Sequence, residues 1–168
     1  MIFVVPFDGT SLAETALVRA VEFSTVLDEQ VLAVTAIPRG NAEYARERGW
    51  IDEEEPFDRQ QIVTTLHEQV VNLAPEADFR HATVGKYAPP GTIATRIREL
   101  STEVSPSMFF IGSENAGRVV STVSSVGAKV ASEKNYDVVI VRNHAPTRVE
   151  KLRQSSPHRS SKSDFYQD

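Results

Sequence analysis

The sequence contains no cysteine, and this absence excludes several kinds of protein chemistry. Thiolate catalysis, cysteine-ligated zinc, iron–sulfur clusters and a disulfide framework all require cysteine side chains. The four histidines are scattered, with no pair at the spacing of metal ligands, so a metal site is not expected. A Gly-x-Ser-x-Gly elbow is also missing, and an esterase-like hydrolase therefore has little support.

Long hydrophobic runs and an excess of basic residues are missing as well. No apolar run approaches the roughly 18 residues that a membrane span needs. The first residues, MIFVVP, lack the basic segment and the small-residue cleavage site of a signal peptide. Eighteen Lys and Arg against 23 Asp and Glu give a net charge of -5, which disfavours nucleic acid as a partner. These absences predict a cytoplasmic protein that binds neither membranes nor nucleic acid.

The composition that is present divides the chain into two parts. The length of 168 residues suits one domain, but from residue 144 onward Pro, Ser, Arg and Lys replace the apolar residues. Residues 145–168 hold five basic and three acidic side chains, so the tail carries +2 and the remainder carries 13 minus 20, or -7. The tail has too few large apolar side chains for their burial to offset the conformational entropy that the tail would lose on folding. We therefore predict a folded domain over residues 1–143 and a disordered tail over residues 144–168.

The folded part alternates apolar runs with stretches of helical period. Short apolar runs bounded by turn residues are typical of parallel strands that are buried on both faces. Five such runs occur, at residues 2–5, 30–37, 78–84, 107–111 and 136–141, and the third alternates more, as an edge strand does. Ser11 and Glu14 have the spacing of a capping box at the start of the first helix. Four helical stripes follow the first four runs: Leu17, Ala20, Val21 and Ser24; Ile62, Leu66, Val70 and Leu73; Ile93, Ile97, Leu100 and Val104; and Val119, Val123, Val126 and Val130.

This alternation predicts an α/β fold, a doubly wound five-stranded parallel sheet with helices on both faces. The first run is among the most apolar and is therefore expected at the centre, which predicts the strand order 3-2-1-4-5. A crevice then lies at the carboxyl ends of strands one and four, where the strand order reverses. The long acidic segment over residues 39–56 is interpreted as a solvated loop, although its length also suits a lid over the crevice.

Two glycine-containing segments meet at this crevice. They are residues 6–10, after the first strand, and residues 111–117, after the fourth, with residues 124–127 following. Glycines after a strand let the backbone approach a phosphate, and a following helix N-terminus supplies amide donors. The spacing matches neither GxGxxG nor GxxxxGK[ST], however, so spacing alone favours simple turn glycines.

The stretch VVPFDGTSLAETALVRAVEFS resembles the opening of the universal stress protein family. The later stretch IGSENAGRVVSTVSSVGAKVASEKNYDVVIV is similar to the closing signature of that family, and the resemblance covers residues 1–143 in order and spacing. It implies the same five-stranded fold and a site for an adenine nucleotide, ATP or AMP, with Mg²⁺ present only together with ATP. It also implies a homodimer through the strand at 137–142, whose apolar edge would otherwise stay unpaired.

The resemblance places the phosphate end of the site at Gly112, Asn115, Ser124, Ser125 and Val126. ATP-binding members use Gly-x-x-Gly, nine residues, and then Gly-Ser or Gly-Thr. In this chain Asn115 and Ser124 stand where the family has glycines, and the intervening segment is one residue shorter. Asparagine tolerates left-handed backbone, but the Cβ of Ser124 occupies space that phosphate oxygens need. We therefore expect weak nucleotide binding.

The nucleoside end of the implied site is better preserved. It comprises Pro6, Phe7, Asp8, Ala36 and Ile111, where Asp8 could reach the base or ribose and the last two could line an adenine slot. A short acid after a strand also commonly caps the next turn or helix, so both roles remain open for Asp8.

Three functions remain open at the level of sequence. The first is a nucleotide-binding sensor without turnover. The second is a slow ATP-hydrolysing or adenylate-handling enzyme, which would need a Mg²⁺-binding carboxylate such as Asp8 or Glu114. The third is a protein-interaction module whose phosphate site is lost.

Overall fold

The computed structural model describes residues 2–112 and 136–142. The strands are β1 (Ile2–Pro6), β2 (Gln30–Pro38), β3 (Asp78–Val84), β4 (Pro106–Gly112) and β5 (Asp137–Val141). The helices in this part are α1 (Ser11–Leu27), α2 (Ala42–Glu47), α3 (Arg59–Leu73) and α4 (Pro90–Thr102), and none is long and apolar enough to cross a membrane. The helix predicted around residues 119–130 and the tail at 144–168 lie outside the described residues.

The strands form one parallel sheet in the order β3-β2-β1-β4-β5, which confirms the predicted fold and order. Strand β1 lies at the centre of the sheet, and its first four residues are all buried. A strand of continuous apolar residues suits this position because both faces of the sheet are covered there. Strand β3 lies at an edge and is mostly exposed in its first half, as its alternating sequence predicts.

Alternate residues of β1 belong to two separate cores. Phe3 and Val5 pack in the core that α1 and α3 cover, while Ile2 and Val4 pack in the core on the side of α4. Successive side chains of a strand point to opposite faces, so helices on both faces follow directly from the continuous apolar run. This confirms the doubly wound architecture.

Two predicted helix boundaries differ from the structure. The capping-box interpretation of Ser11 is wrong, because the N-cap of α1 is Thr10, which makes no side-chain cap bond. The hydroxyl of Thr10 instead donates to Asp8. Val104 lies beyond the end of α4 at Thr102, although it still packs against the core on that side.

The segment at 39–56 is a folded connection rather than only a solvated loop. It contains α2, whose first turn is capped by the side chain of Asn41 accepting from the Tyr44 nitrogen at 3.0 Å. Trp50 and Ile51 are buried in the core after α2, whereas the acidic part at 52–55 is exposed. The burial of these two side chains holds the connection against the carboxyl end of the sheet.

Candidate functional site

A pocket of about 440 Å³ opens at the carboxyl ends of the central strands, where the sequence predicts the crevice. Its volume lies within the roughly 300–1,000 Å³ typical of small-molecule sites. Three structural elements surround it: the strand ends, the α2 segment, and α4 with the turn before it. The strand ends contribute Pro6, Phe7, Asp8, Ala36 and Gly112. The α2 segment contributes Tyr44, Glu47 and Arg48, and the α4 side contributes Ala88, Pro90, Ile93, Ala94 and Ile97.

The strand-end residues of this pocket are all residues that the sequence singled out. Ile111 is placed differently, since it packs against the core on the α4 side and is not among the described residues that line the pocket. Asn115, Ser124, Ser125 and Val126 lie outside the described residues. The structure therefore assembles most of the nucleoside end of the expected site, and its phosphate end is described only at Gly112.

Asp8 caps the turn after β1 and also lines the pocket. Its Oδ1 accepts hydrogen bonds from the Thr10 nitrogen at 3.1 Å and from the Thr10 hydroxyl at 2.6 Å. Its Oδ2 lies 3.8 Å from Nε of Arg48, and the side chain is 37% exposed. The capping role is therefore present, and it leaves Oδ2 as the acceptor that a ligand could use.

The turn between β1 and α1 is anchored from two other segments. The indole nitrogen of Trp50 donates to the Asp8 carbonyl at 2.6 Å, and the amide of Gln69 donates to the Gly9 carbonyl at 3.0 Å. Gly9 has a φ of +79°, and a Cβ there would lie only 2.9 Å from Oε1 of Gln69. Glu14 hydrogen-bonds Gln69 and extends this network, while burial raises the pKa of Glu14. These contacts tie the turn that carries Asp8 to α3 and to the segment after α2.

Gly112 is required by packing at the end of β4. A Cβ on Gly112 would overlap the carbonyl oxygen of Leu12 and would lie 2.5 Å from the carbonyl carbon of Leu12. The end of β4 thus contacts the first turn of α1 backbone to backbone, which only glycine permits. This close approach is a structural reason for the glycine, and it brings β4 to the pocket.

The length of the 39–56 segment suggested a lid over the crevice, but the sequence did not single out the side chains by which the α2 segment lines the pocket. The guanidinium carbon of Arg48 lies 3.5 Å from the centre of the Tyr44 ring, a cation–π contact. The Tyr44 ring in turn meets Trp50 edge to face, with ring centres 5.5 Å apart. Burial raises the pKa of Tyr44, against a smaller opposing effect of Arg48, so its phenol is neutral at physiological pH. The spacing of four between Tyr44 in α2 and Arg48, the C-cap residue of α2, corresponds to about one helical turn and was the local sequence signal for this contact.

Arg48 has an unsatisfied donor in this wall. Its Nε is buried and has no hydrogen-bond partner among the described residues, because Oδ2 of Asp8 at 3.8 Å is too far for a hydrogen bond. The part of the lining that α4 contributes is apolar and consists of Pro90, Ile93, Ala94 and Ile97. The pocket therefore combines an apolar surface with a few polar and charged groups, a combination that suits a small amphipathic ligand.

Among residues 2–112 and 136–142, no three His, Cys, Asp or Glu side chains are grouped as a metal ion would require.

Comparison with known proteins agrees with this architecture. The sequence profile described as the universal stress protein family matches residues 1–142. The crystal structure of a universal stress protein in complex with cAMP is similar at 21% identity and a TM-score of 0.50, over 84% of this chain and 97% of that chain. The hypothetical protein MJ0577, solved for structure-based assignment of its biochemical function, is similar at 17% identity and a TM-score of 0.54, over 84% of this chain and 95% of the other. No curated protein sequence matches the chain closely. Because the family profile spans the whole of the described fold, the chain belongs to the universal stress protein family.

Proposed function

We propose that this protein is a cytoplasmic homodimer that binds an adenine nucleotide weakly and acts as a sensor in a stress response, without turning the nucleotide over. The observation that carries this proposal is the pocket at the carboxyl ends of β1, β2 and β4. In doubly wound sheets, ligands bind where the strand order reverses, and this pocket lies at that point.

The two sides of the pocket suit the two parts of a nucleoside. A purine has apolar faces and a polar edge, and the apolar side chains of α4 together with Ala36 offer a surface for those faces. Oδ2 of Asp8 is an acceptor for the amino group of the base or for a ribose hydroxyl. The similar universal stress protein in complex with cAMP supports this choice, since cAMP contains the same nucleoside.

The phosphate end is expected to contribute little affinity. Full members of the family place glycine where this chain has Asn115 and Ser124, so fewer backbone amides can approach the outer phosphates. We therefore expect ATP, with or without Mg²⁺, to bind no more tightly than AMP. Titration calorimetry with ATP, ADP and AMP tests this expectation, and ATP binding tenfold tighter than AMP would contradict it.

The exposed edge of β5 supports the proposed homodimer. This strand lies at the end of the sheet and pairs with β4 on one side only, so its other backbone groups have no strand beside them in the described sheet. Val138, Val139 and Ile140 are only half-buried. Pairing of residues 137–142 with a second copy would satisfy this edge. Light scattering is expected to give twice the 18.6 kDa of one chain, and a purely monomeric mass would contradict the dimer.

A phosphate-release assay separates the sensor from the enzyme. Bound nucleotide without release supports the sensor, whereas release that disappears in Asp8→Asn supports the enzyme. Asparagine keeps an oxygen that can accept from Thr10 but removes the charge that Mg²⁺ would need. Asp78→Asn, at the exposed start of β3, is the matched control. Absence of both binding and release would contradict the proposal and favour a protein-interaction module.

A further inference from the structure

Arg48 is the one basic side chain among the described residues that line the pocket. Its guanidinium is positioned by the Tyr44 ring at 3.5 Å, and its side chain is 28% exposed. Tyr44 is itself held by the edge of Trp50, which is anchored to the Asp8 carbonyl. The α2 segment therefore holds a cation at the wall of the pocket.

The hydrogen bonding of this guanidinium is incomplete. The buried Nε of Arg48 has no hydrogen-bond partner in the described part of the chain, and its nearest carboxylate oxygen is 3.8 Å away. A buried donor without an acceptor is unfavourable, and a planar guanidinium is the side chain best suited to bind a phosphate through two parallel hydrogen bonds. Nε itself is closed to solvent, so an oxyanion that enters the pocket would supply the missing acceptor once the partly exposed guanidinium turns toward it.

We propose that Arg48 is the phosphate-binding residue of this pocket and that it selects a nucleotide with a single phosphate over the free nucleoside. This inference rests on the proposed function, because it concerns the ligand of the same pocket. Arg48 would thus replace part of what the chain lacks at Asn115 and Ser124, but from the α2 side of the site.

The charges around Arg48 limit the ligand to one phosphate group. Asp8 and Glu47 also line the pocket, so the described lining carries two negative charges against one positive charge. One phosphate can bind the guanidinium, but further phosphates would meet only the repulsion of these carboxylates. A triphosphate therefore gains nothing over a monophosphate at this wall.

Titration calorimetry with adenosine, AMP and ATP, on the full chain and on three variants, tests the inference. The wild type is expected to bind AMP about tenfold more tightly than adenosine, the effect of one charge-assisted contact, and ATP no more tightly than AMP. Arg48→Gln is expected to bind AMP no more tightly than adenosine. Arg48→Lys keeps the positive charge but cannot donate two parallel hydrogen bonds as a planar guanidinium does, and it should retain part of the preference for AMP over adenosine.

Arg39→Gln is the matched control, since it removes the same charge from an exposed position before α2 and should leave every affinity unchanged. Equal affinities of the wild type for adenosine and AMP would overturn the inference, although they would still support the proposed binding of a nucleoside in this pocket. An equal loss of both ligands in Arg48→Gln would also overturn it, because Arg48 would then only support the pocket wall. If none of the three ligands binds the wild type, the proposed function itself fails. If Arg48→Gln does not fold, the other two variants decide. A full preference for AMP over adenosine in Arg39→Gln together with a reduced preference in Arg48→Lys still supports the inference. Equal preferences in these two variants contradict it.

Discussion

Replacing Gly112 with alanine places a methyl group between two backbone segments that are already in contact. The added carbon would lie 2.5 Å from the carbonyl carbon of Leu12 and closer still to its oxygen, whereas ordinary contact begins at 3.4 Å, so the segments must separate by at least about 0.9 Å. Neither partner is a flexible side chain. One is the end of β4 and the other is the first turn of α1, which is packed on the sheet through Leu12 and Ala13.

The magnitude follows from the rigidity of both partners. Overpacking of a core costs about 1–3 kcal/mol, and we expect the upper end because backbone must move on both sides. For a domain of this size, about 3 kcal/mol corresponds to a melting temperature lowered by about 6–12 °C. Thermal unfolding followed by circular dichroism measures this change directly.

Gly85→Ala is the matched control for this prediction. A Cβ at Gly85 meets nothing within 4 Å, so alanine there should change stability by less than about 0.5 kcal/mol. If Gly112→Ala unfolds within a degree of Gly85→Ala, the close approach of β4 to α1 is not as described, and the packing argument for Gly112 fails.

Three further predictions concern other parts of the chain. Truncation after Asn143 should leave the melting temperature within about 2 °C, since a disordered tail adds no buried surface, and a loss of several degrees would show that the tail docks on the domain. Asn115→Gly combined with Ser124→Gly should tighten ATP binding more than AMP binding in calorimetry, because the restored amides approach the outer phosphates, and an equal effect on both would refute this. Burial, and then the charge of Arg59, lowers the pKa of His81, so the unfolded chain takes up the proton first as the pH falls. As the pH falls from 7.5 to 5.5, the melting temperature of His81→Gln should therefore fall less than that of the wild type. An equal fall in both proteins would contradict this prediction.

The fold was predictable because its strands carry a strong and local signal. Strand β1 is a continuous apolar run and lies at the centre, whereas β3 alternates and lies at the edge. Once these two positions are known, right-handed crossovers leave few alternatives for the rest. The helix at α1 was also predictable, but its cap was not, because Thr10 and Ser11 are both good candidates and the choice depends on the side chain of Asp8.

The α2 wall of the pocket could not be predicted from the same signals. Helix α2 has only six residues, which is too short for an apolar stripe to repeat, and its stability comes from contacts outside it. The decisive contact joins Trp50 to the Asp8 carbonyl across 42 positions of sequence, and no local pattern encodes such a pairing. Arg48 therefore came into the site only through tertiary structure.

The central claim is that an adenine nucleotide binds in the pocket between the strand ends and α4. Ile93 lines this pocket, is only half-buried and is not one of the buried core residues, so Ile93→Trp should fill the pocket without unfolding the domain. Val71→Trp, at an exposed position on α3, is the control for adding an indole elsewhere. In parallel calorimetric titrations with AMP, we predict binding to the wild type and to Val71→Trp, and no binding to folded Ile93→Trp. Equal AMP binding by all three proteins, or by none of them, would contradict the account.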